Sequence, residues 1–307
     1  MIFGYKELRD IPEFNTFKRI VPLKENFLES KYHIYRKDNT DCLLAVYNSM
    51  FRQIDLKKIE LHNHILNNKV PTNDLISYGV CNNNRKFYIL FSWINGTDLS
   101  KIVLEFSDNK QYELGLNAGQ LLKRIHDIKS TNTYVNNDDR IKYLLNKYEN
   151  NVLYFEKYPF LETFLSLIKT AHGNNCYRFS FLHGDYSIYN MVFSDGKIAV
   201  IDWVYGSFGD PWEDFVRNIV NAKISEPFAI GQIDGYFNYK IPEGFWRTLY
   251  FYTLIHQVEL LDLEVIDEKS KEAFIISKHT LFMKEYCDVN TCIPKYYKNR
   301  RGYNEFR

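Results

Sequence analysis

His183 to Asp214 reads HGDYSIYNMVFSDGKIAVIDWVYGSFGDPWED, and the interpretation of the whole chain turns on this stretch. Two short apolar runs, Met191-Val192-Phe193 and Ile198-Ala199-Val200-Ile201, flank the turn signal Ser194-Asp195-Gly196-Lys197, so a β-hairpin is predicted. If the turn centres on Gly196, Met191 faces Ile201 and Asn190 meets Asp202 at the open end. A two-residue Asp195-Gly196 turn moves the pairing by one position. Opposite residues on paired strands have Cβ atoms about 4.5 to 5.5 Å apart, close enough for an amide oxygen and a carboxylate to share one hard cation. Oxygen ligands suit Mg²⁺ rather than zinc.

Asp185 precedes Asn190 with the D-x-x-x-x-N spacing of a kinase catalytic loop. A carboxylate beside a Mg²⁺-nucleotide can orient a substrate hydroxyl and accept its proton. His183-Gly184-Asp185 through Asn190, then Ile201-Asp202-Trp203, then Gly209-Asp210-Pro211-x-x-Asp214, resemble the aminoglycoside phosphotransferase and choline kinase-like family, whose fold is similar to that of the protein kinases. The resemblance implies Asp185 as catalytic base, Asn190 and Asp202 as holders of the metal ions, and His183 as a brace of the loop. Asp210 and Asp214 would then be supporting residues. Local chemistry gives them another reading. Asp210-Pro211-Trp212-Glu213 has the pattern of a helix start, with Asp at the N-cap, Pro at the first position and Glu at the third. Asp214 would then be a first-turn carboxylate favoured by the helix dipole.

Upstream, alternation of apolar and polar residues predicts three antiparallel strands, Phe17 to Leu23, Lys31 to Tyr35 and Cys42 to Tyr47. A helix within Arg52 to Lys69 and two further strands, Leu75 to Val80 and Phe87 to Phe91, follow. Three strands, a helix and two strands is the order of a kinase-like small lobe. Two features depart from the family. The first loop, Lys24 to Ser30, holds no glycine, and the third strand reads Leu43-Leu44-Ala45-Val46 where family members usually carry a Lys or Arg that pairs with the nucleotide phosphates. Lys31, on the neighbouring strand, is the candidate replacement, and Glu60 on the helix is left without its usual partner. Ser92 to Asp98 breaks the apolar pattern and reads as a hinge, where the resemblance implies that Ser92, Trp93 and Ile94 mark the edge of the nucleotide base.

The expected architecture is α+β, a two-lobed protein-kinase-like fold with a small antiparallel-sheet lobe over 1–94 and a larger, mainly helical lobe over 95–307. Gln111 to Ile128 has one clear apolar helical face, in which Gly115 and Gly119 permit close packing and His126 reads as structural. Further helical periodicity covers Asp138 to Asn150, Phe160 to Ala171 and Phe245 to Leu263, and His172 to Asn175 reads as a helix stop. Pro227, Gly231 and Gly235 punctuate the chain beyond Asp214. Late carboxylates, Glu259, Asp262, Glu264, Asp267 and Glu268, would suit a polycationic sugar or else form a solvated helix face.

With 307 residues the chain is long enough for one large or two modest domains. A net charge of +1, from 39 basic against 38 acidic residues, argues against nucleic acid or a membrane surface as partner, the Lys/Arg/Tyr-rich tail from Lys295 included. No apolar run approaches a membrane span, no signal-peptide core appears at the start, and the five scattered Cys read as reduced thiols, so a cytoplasmic location is expected. The expected activity is that of a small-molecule kinase. It would transfer the γ-phosphate of ATP or GTP, with Mg²⁺, to a hydroxyl of an aminoglycoside-like or other small alcohol, as in antibiotic resistance. Two other readings stand beside it: a catalytically silent nucleotide-binding relative, favoured by Ala45, and a metal-dependent hydrolase using His183, Asp185 and Asp202.

Overall fold

The computed structural model describes residues 4–25, 29–48, 52–128, 137–171, 179–263, 267–286 and 292–300. In chain order come β1 (Phe17–Glu25), β2 (Glu29–Arg36), β3 (Asp41–Asn48), α1 (Arg52–Asn67), β4 (Leu75–Cys81), β5 (Lys86–Ser92) and β6 (Thr97–Asp98). Then follow α2 (Leu99–Ile102), α3 (Asp108–His126), α4 (Asn137–Tyr148), α5 (Val152–Lys157), α6 (Phe160–Ala171), β7 (Ser180–Leu182), β8 (Met191–Ser194), β9 (Lys197–Val200) and β10 (Ser207–Gly209). The chain closes with α7 (Asn218–Ile224), α8 (Glu226–Phe237), α9 (Phe245–Glu259), α10 (Glu268–Glu285) and α11 (Lys295–Lys298). These elements form two compact units, Met1–Asp98 with Asn190–Val204, and Leu99–Tyr189 with Tyr205–Arg307. The hairpin of β8 and β9 therefore groups with the first unit, whereas a division after residue 94 leaves it in the second. The physical reason is pairing: Thr97 and Asp98 of β6 lie opposite Phe193 and Val192, and Val200 N–H donates to the Pro71 carbonyl.

In the first unit five antiparallel strands run in the order β1-β2-β3-β5-β4. Alternation sends Tyr32, Ile34, Cys42, Leu44, Val46 and Leu90 to one face, where Leu8 and Ile11 from the N-terminal segment cover them. Ala45, Tyr47, Phe87 and Ile89 form the other face and pack with Ile59 of α1. Fully burying a side chain such as Ile34 or Leu44 contributes roughly 1.5–3 kcal/mol, so both faces of the sheet are held. β1 extends to Glu25 and β2 starts at Glu29, so the predicted loop is shorter than Lys24 to Ser30; positions 26–28 lie outside the described residues.

The second unit is mainly helical, and its tightest contact joins α3 to α8. A Cβ on Gly115 would stand 2.2 Å from the Phe228 carbonyl oxygen, and one on Gly119 2.1 Å from that of Gln232. The reciprocal distances are 2.3 Å from Gly231 to the Tyr112 oxygen and 2.2 Å from Gly235 to that of Leu116. The two backbones touch directly along four glycines. Pro227, Gly231 and Gly235, which read as punctuation in the sequence, are thus the start and the packing seam of a helix. Pro227 sits in the first turn, where no N–H is needed, and Ser225 caps it by accepting from Phe228 N–H at 3.1 Å. The helix stop expected at 172–175 lies outside the described residues, as do residues 264–266 and 301–307. Among the described residues no helix is long and apolar enough to cross a membrane.

Candidate functional site

In the first unit the hairpin takes the tighter of its two possible registers. Ser194 pairs with Lys197 around a two-residue turn in which Asp195 and Gly196 both have positive φ, 49° and 79°. Met191 therefore faces Val200, and Ile201 N–H donates to the Asn190 carbonyl at 3.0 Å. Asp202 follows directly, in a left-handed conformation (φ 66°) uncommon for any residue but glycine, as the chain leaves the strand.

Lys31 Nζ donates to Asp202 Oδ2 at 2.9 Å and lies 3.4 Å from Glu29 Oε1. On the β2–β3 ladder Lys31 stands directly opposite Ala45, so its ammonium rises from the same face of the sheet as the alanine. Burial works against the Lys31 charge, but Asp202 and Glu29 outweigh it and hold its pKa above the ordinary lysine value. Asp202 Oδ1 is buried and has no hydrogen-bond partner among the described residues. Leaving such an oxygen unpaired costs about 1–3 kcal/mol or more, which a cation would relieve. Among the described residues no group of three His, Cys, Asp or Glu is arranged around a metal. One carboxylate and one amide, with the remaining oxygens from ligand and water, is a donor set that fits Mg²⁺.

The other expected residues of this unit behave differently. Glu60 is exposed on α1 and lies outside the Lys31 ion-pair set. Ser92 N–H and Trp93 N–H donate to the carbonyls of Asp74 and Asp41, at 2.8 and 3.2 Å. The N–H groups of Ser92 and Trp93 are thus committed within the first unit. The Trp93 ring stacks on His33 with centroids 3.7 Å apart and planes 4° from parallel.

In the second unit the loop from His183 is clamped from several sides. The Asp214 carboxylate accepts from His183 N–H at 2.8 Å and Gly184 N–H at 2.7 Å, and pairs with His126 Nε2 at 3.0 Å. Burial would raise its pKa, but the hydrogen bond and charge of His126, with His183, hold it below the usual carboxylate value. His126 also meets the Tyr236 hydroxyl at 2.9 Å, in keeping with a structural role. His183 is fully buried, and its Nδ1 accepts from Asp185 N–H at 3.2 Å. Gly184 has φ 79°, and a Cβ there would be 2.3 Å from the Tyr205 carbonyl oxygen, so glycine is required. Further along the loop, Tyr186 OH donates to the Ala118 carbonyl and Ile188 N–H to Asn221 Oδ1. Asp210 is the cap its sequence suggests: Oδ1 accepts from Trp212 N–H at 3.0 Å, and Oδ2 from Tyr252 OH at 3.1 Å.

The loop's backbone presents Asp185, and Arg217 Nε lies 2.7 Å from its Oδ1. Arg217 in turn meets His256 Nε2 at 2.8 Å. Burial first, then the cations Arg217, Arg140 and Lys278, push His256 well below the ordinary histidine pKa, so it is neutral and accepts from the guanidinium. Sequence reasoning missed Arg217, Asn221 and Tyr186, since each is defined by a contact far along the chain. Asp214 carried a signal in its Asp-Pro-x-x-Asp spacing, but its part as the loop's anchor needed the fold.

A model of the phosphotransferase enzyme family (APH) matches residues 59–251. No curated protein sequence matches the chain. Among solved structures, a thermostable mutant of aminoglycoside phosphotransferase APH(4)-Ia superposes with a TM-score of 0.68 at 14% identity, over 88% of this chain and 95% of that one. The streptomycin–ATP complex of APH(2")-IIa gives 0.66 at 15% identity, over 90% and 97%. The GDP complex of aminoglycoside 2'-phosphotransferase-IIIa gives 0.68 at 17%, over 88% and 94%. At such identities the likeness is one of fold.

Proposed function

We propose that this chain, which belongs to the phosphotransferase enzyme family, is a small-molecule kinase that moves the γ-phosphate of a nucleoside triphosphate to a hydroxyl group. The observation that carries this reading is Lys31. It stands across the ladder from Ala45, where the family's basic residue is missing, and its ammonium reaches the Asp202 carboxylate whose other oxygen is buried and unpartnered. A cation supplied from β2 in place of β3 restores the charge that a nucleotide phosphate needs.

Asp202 and Asn190 would hold Mg²⁺, whose charge would offset that of the donor phosphates. Lys31, beside Asp202, would pair with a phosphate oxygen of the donor. Asp185 orients the acceptor hydroxyl and takes its proton as the oxygen–phosphorus bond forms and the nucleoside diphosphate leaves. Arg217 holds the Asp185 carboxylate in place, and Asp214 with His183 fixes the loop that presents it. A hydrolase built on His183 is disfavoured, because that imidazole is buried and committed to Asp185 N–H.

The test is turnover with Mg²⁺-ATP and Mg²⁺-GTP across a panel of aminoglycosides, macrolides, choline-like alcohols and sugars, alongside thermal stabilisation by each nucleotide. The kinase reading expects Mg²⁺-dependent stabilisation and acceptor-dependent release of diphosphate. Stabilisation without transfer to any acceptor would make the chain a silent nucleotide binder; no stabilisation by either nucleotide would remove both readings.

A further inference from the structure

The first unit holds a carboxylate that the sequence pattern does not single out. Glu29 opens β2 two residues before Lys31, and the period of two along a strand sends both side chains to one face of the sheet. The ladder to β3 sets Glu29 opposite Tyr47 and Lys31 opposite Ala45, and Tyr47 and Ala45 belong to the face that packs with Ile59 of α1. Glu29 Oε1 lies 3.4 Å from Lys31 Nζ, and its Oε2 lies 3.6 Å from the Nζ of Lys24, an exposed side chain. Glu29 is only 8% exposed, and a carboxylate so far out of water needs a cation beside it.

Lys31 is therefore anchored twice, by Asp202 at 2.9 Å and by Glu29 at 3.4 Å. The two anchors differ in what a bound nucleotide would leave them. Asp202 is the residue proposed above to hold the metal, a task that competes with its bond to Lys31. Glu29 reaches the ammonium from the same strand and is left to hold it. A lysine stem is long and flexible, so an ammonium already fixed by a second carboxylate meets a phosphate at a lower cost in entropy. The Glu29 charge also opposes the loss of the Lys31 proton that burial favours. Glu60, the helix residue whose place in the sequence suggests this part, is exposed on α1 and outside the Lys31 set.

We propose that Glu29 is the positioning residue of Lys31, so that the ion pair orienting the phosphate-binding cation is contained within β2 and Glu60 of α1 takes no part in it. This rests on the kinase reading above. Where a lysine on one strand pairs with a glutamate on a helix, the pair forms only when the helix is in place. Here one strand carries both partners at a spacing set by its pleat, and the pair is independent of the position of α1.

The experiment measures the concentrations of Mg²⁺-ATP and Mg²⁺-GTP that half-stabilise the full chain against heat. It compares wild type, Glu29→Gln, Glu29→Asp, Glu60→Gln, Lys31→Met and the double variant Glu29→Gln/Lys31→Met. Expected are a midpoint about tenfold higher in Glu29→Gln, partly recovered in Glu29→Asp, and the wild-type midpoint in Glu60→Gln. Lys31→Met and the double variant should agree within about twofold, because a residue that acts only through Lys31 then has nothing left to position. Melting of each chain without nucleotide separates lost affinity from lost folding, and Glu29→Asp runs the same cycle where the glutamine variant melts too low to titrate. A Glu29→Gln midpoint at or below that of wild type would overturn the proposal. So would a further rise of about tenfold on adding Glu29→Gln to Lys31→Met, the mark of a merely structural role. A larger loss from Glu60→Gln than from Glu29→Gln would return the part to α1 and overturn it too. Wild type that neither nucleotide stabilises would sink the kinase reading itself, and the proposal with it.

Discussion

The two units differ in how their candidate carboxylates are satisfied. In the first, Lys31 meets both Glu29 and Asp202, Glu29 also lies 3.6 Å from Lys24 Nζ, and the buried Asp202 Oδ1 has no hydrogen-bond partner among the described residues, so a cation would complete it. In the second, Arg217 Nε lies 2.7 Å from Asp185 Oδ1, so this carboxylate already has a cation beside it. The contrast teaches that Asp202 keeps an oxygen open to a cation, whereas Asp185 is held by one of the protein's own.

Breaking the first arrangement should have the larger effect. Asp202→Ala takes away the carboxylate, and turnover at saturating acceptor should fall on the order of a thousand-fold, as measured by diphosphate release. Next comes the anchor of the second unit. Asp214→Asn breaks a buried pair with His126 and weakens two backbone bonds, for a loss of about 3 kcal/mol in denaturant unfolding. Its pH dependence has a definite sign. Because the folded carboxylate has a depressed pKa, its contribution is complete above the unfolded value of about 4 and vanishes as pH falls through the folded value. Wild type and Asp214→Asn should therefore converge in stability in acid.

Lys31→Met leaves the metal ligands intact and should raise the half-saturating nucleotide concentration by about 10- to 100-fold, the worth of a charge-assisted bond, with Lys31→Arg recovering part of it. An unchanged value would remove the cross-strand replacement. The smallest effect is one of packing within the second unit: Gly231→Ala places a methyl 2.3 Å from the Tyr112 carbonyl oxygen, and α3 and α8 must part at a cost of about 1–3 kcal/mol in thermal unfolding.

Local pattern made much of this legible. The strand–helix–strand order of the first unit, the hairpin and the Asp210 cap follow from alternation and turn chemistry, which act over a few residues. Lys31 was found because period two fixes which residues share a face, and a missing charge at Ala45 directs attention across the ladder. What stayed hidden was long-range or two-sided. α8 reads as a broken stretch because its glycines serve a partner helix rather than its own. Arg217 gives no sign of Asp185 until the fold brings them together. The partners of Glu259, Asp262 and Glu268 stayed hidden because Arg140, Lys147 and Lys157 lie far off in sequence. Grouping of the hairpin with the first unit depended on β6, two residues too short to announce themselves.

The whole account depends on Asp185 handling the acceptor's proton, and the direct measurement is acceptor-dependent turnover by Asp185→Asn beside its nucleotide affinity. A base of this kind contributes roughly 10²- to 10⁴-fold, so turnover should fall by that factor while Mg²⁺-nucleotide binding stays within about twofold of wild type. Turnover at the wild-type rate, with nucleotide bound equally well, would contradict it.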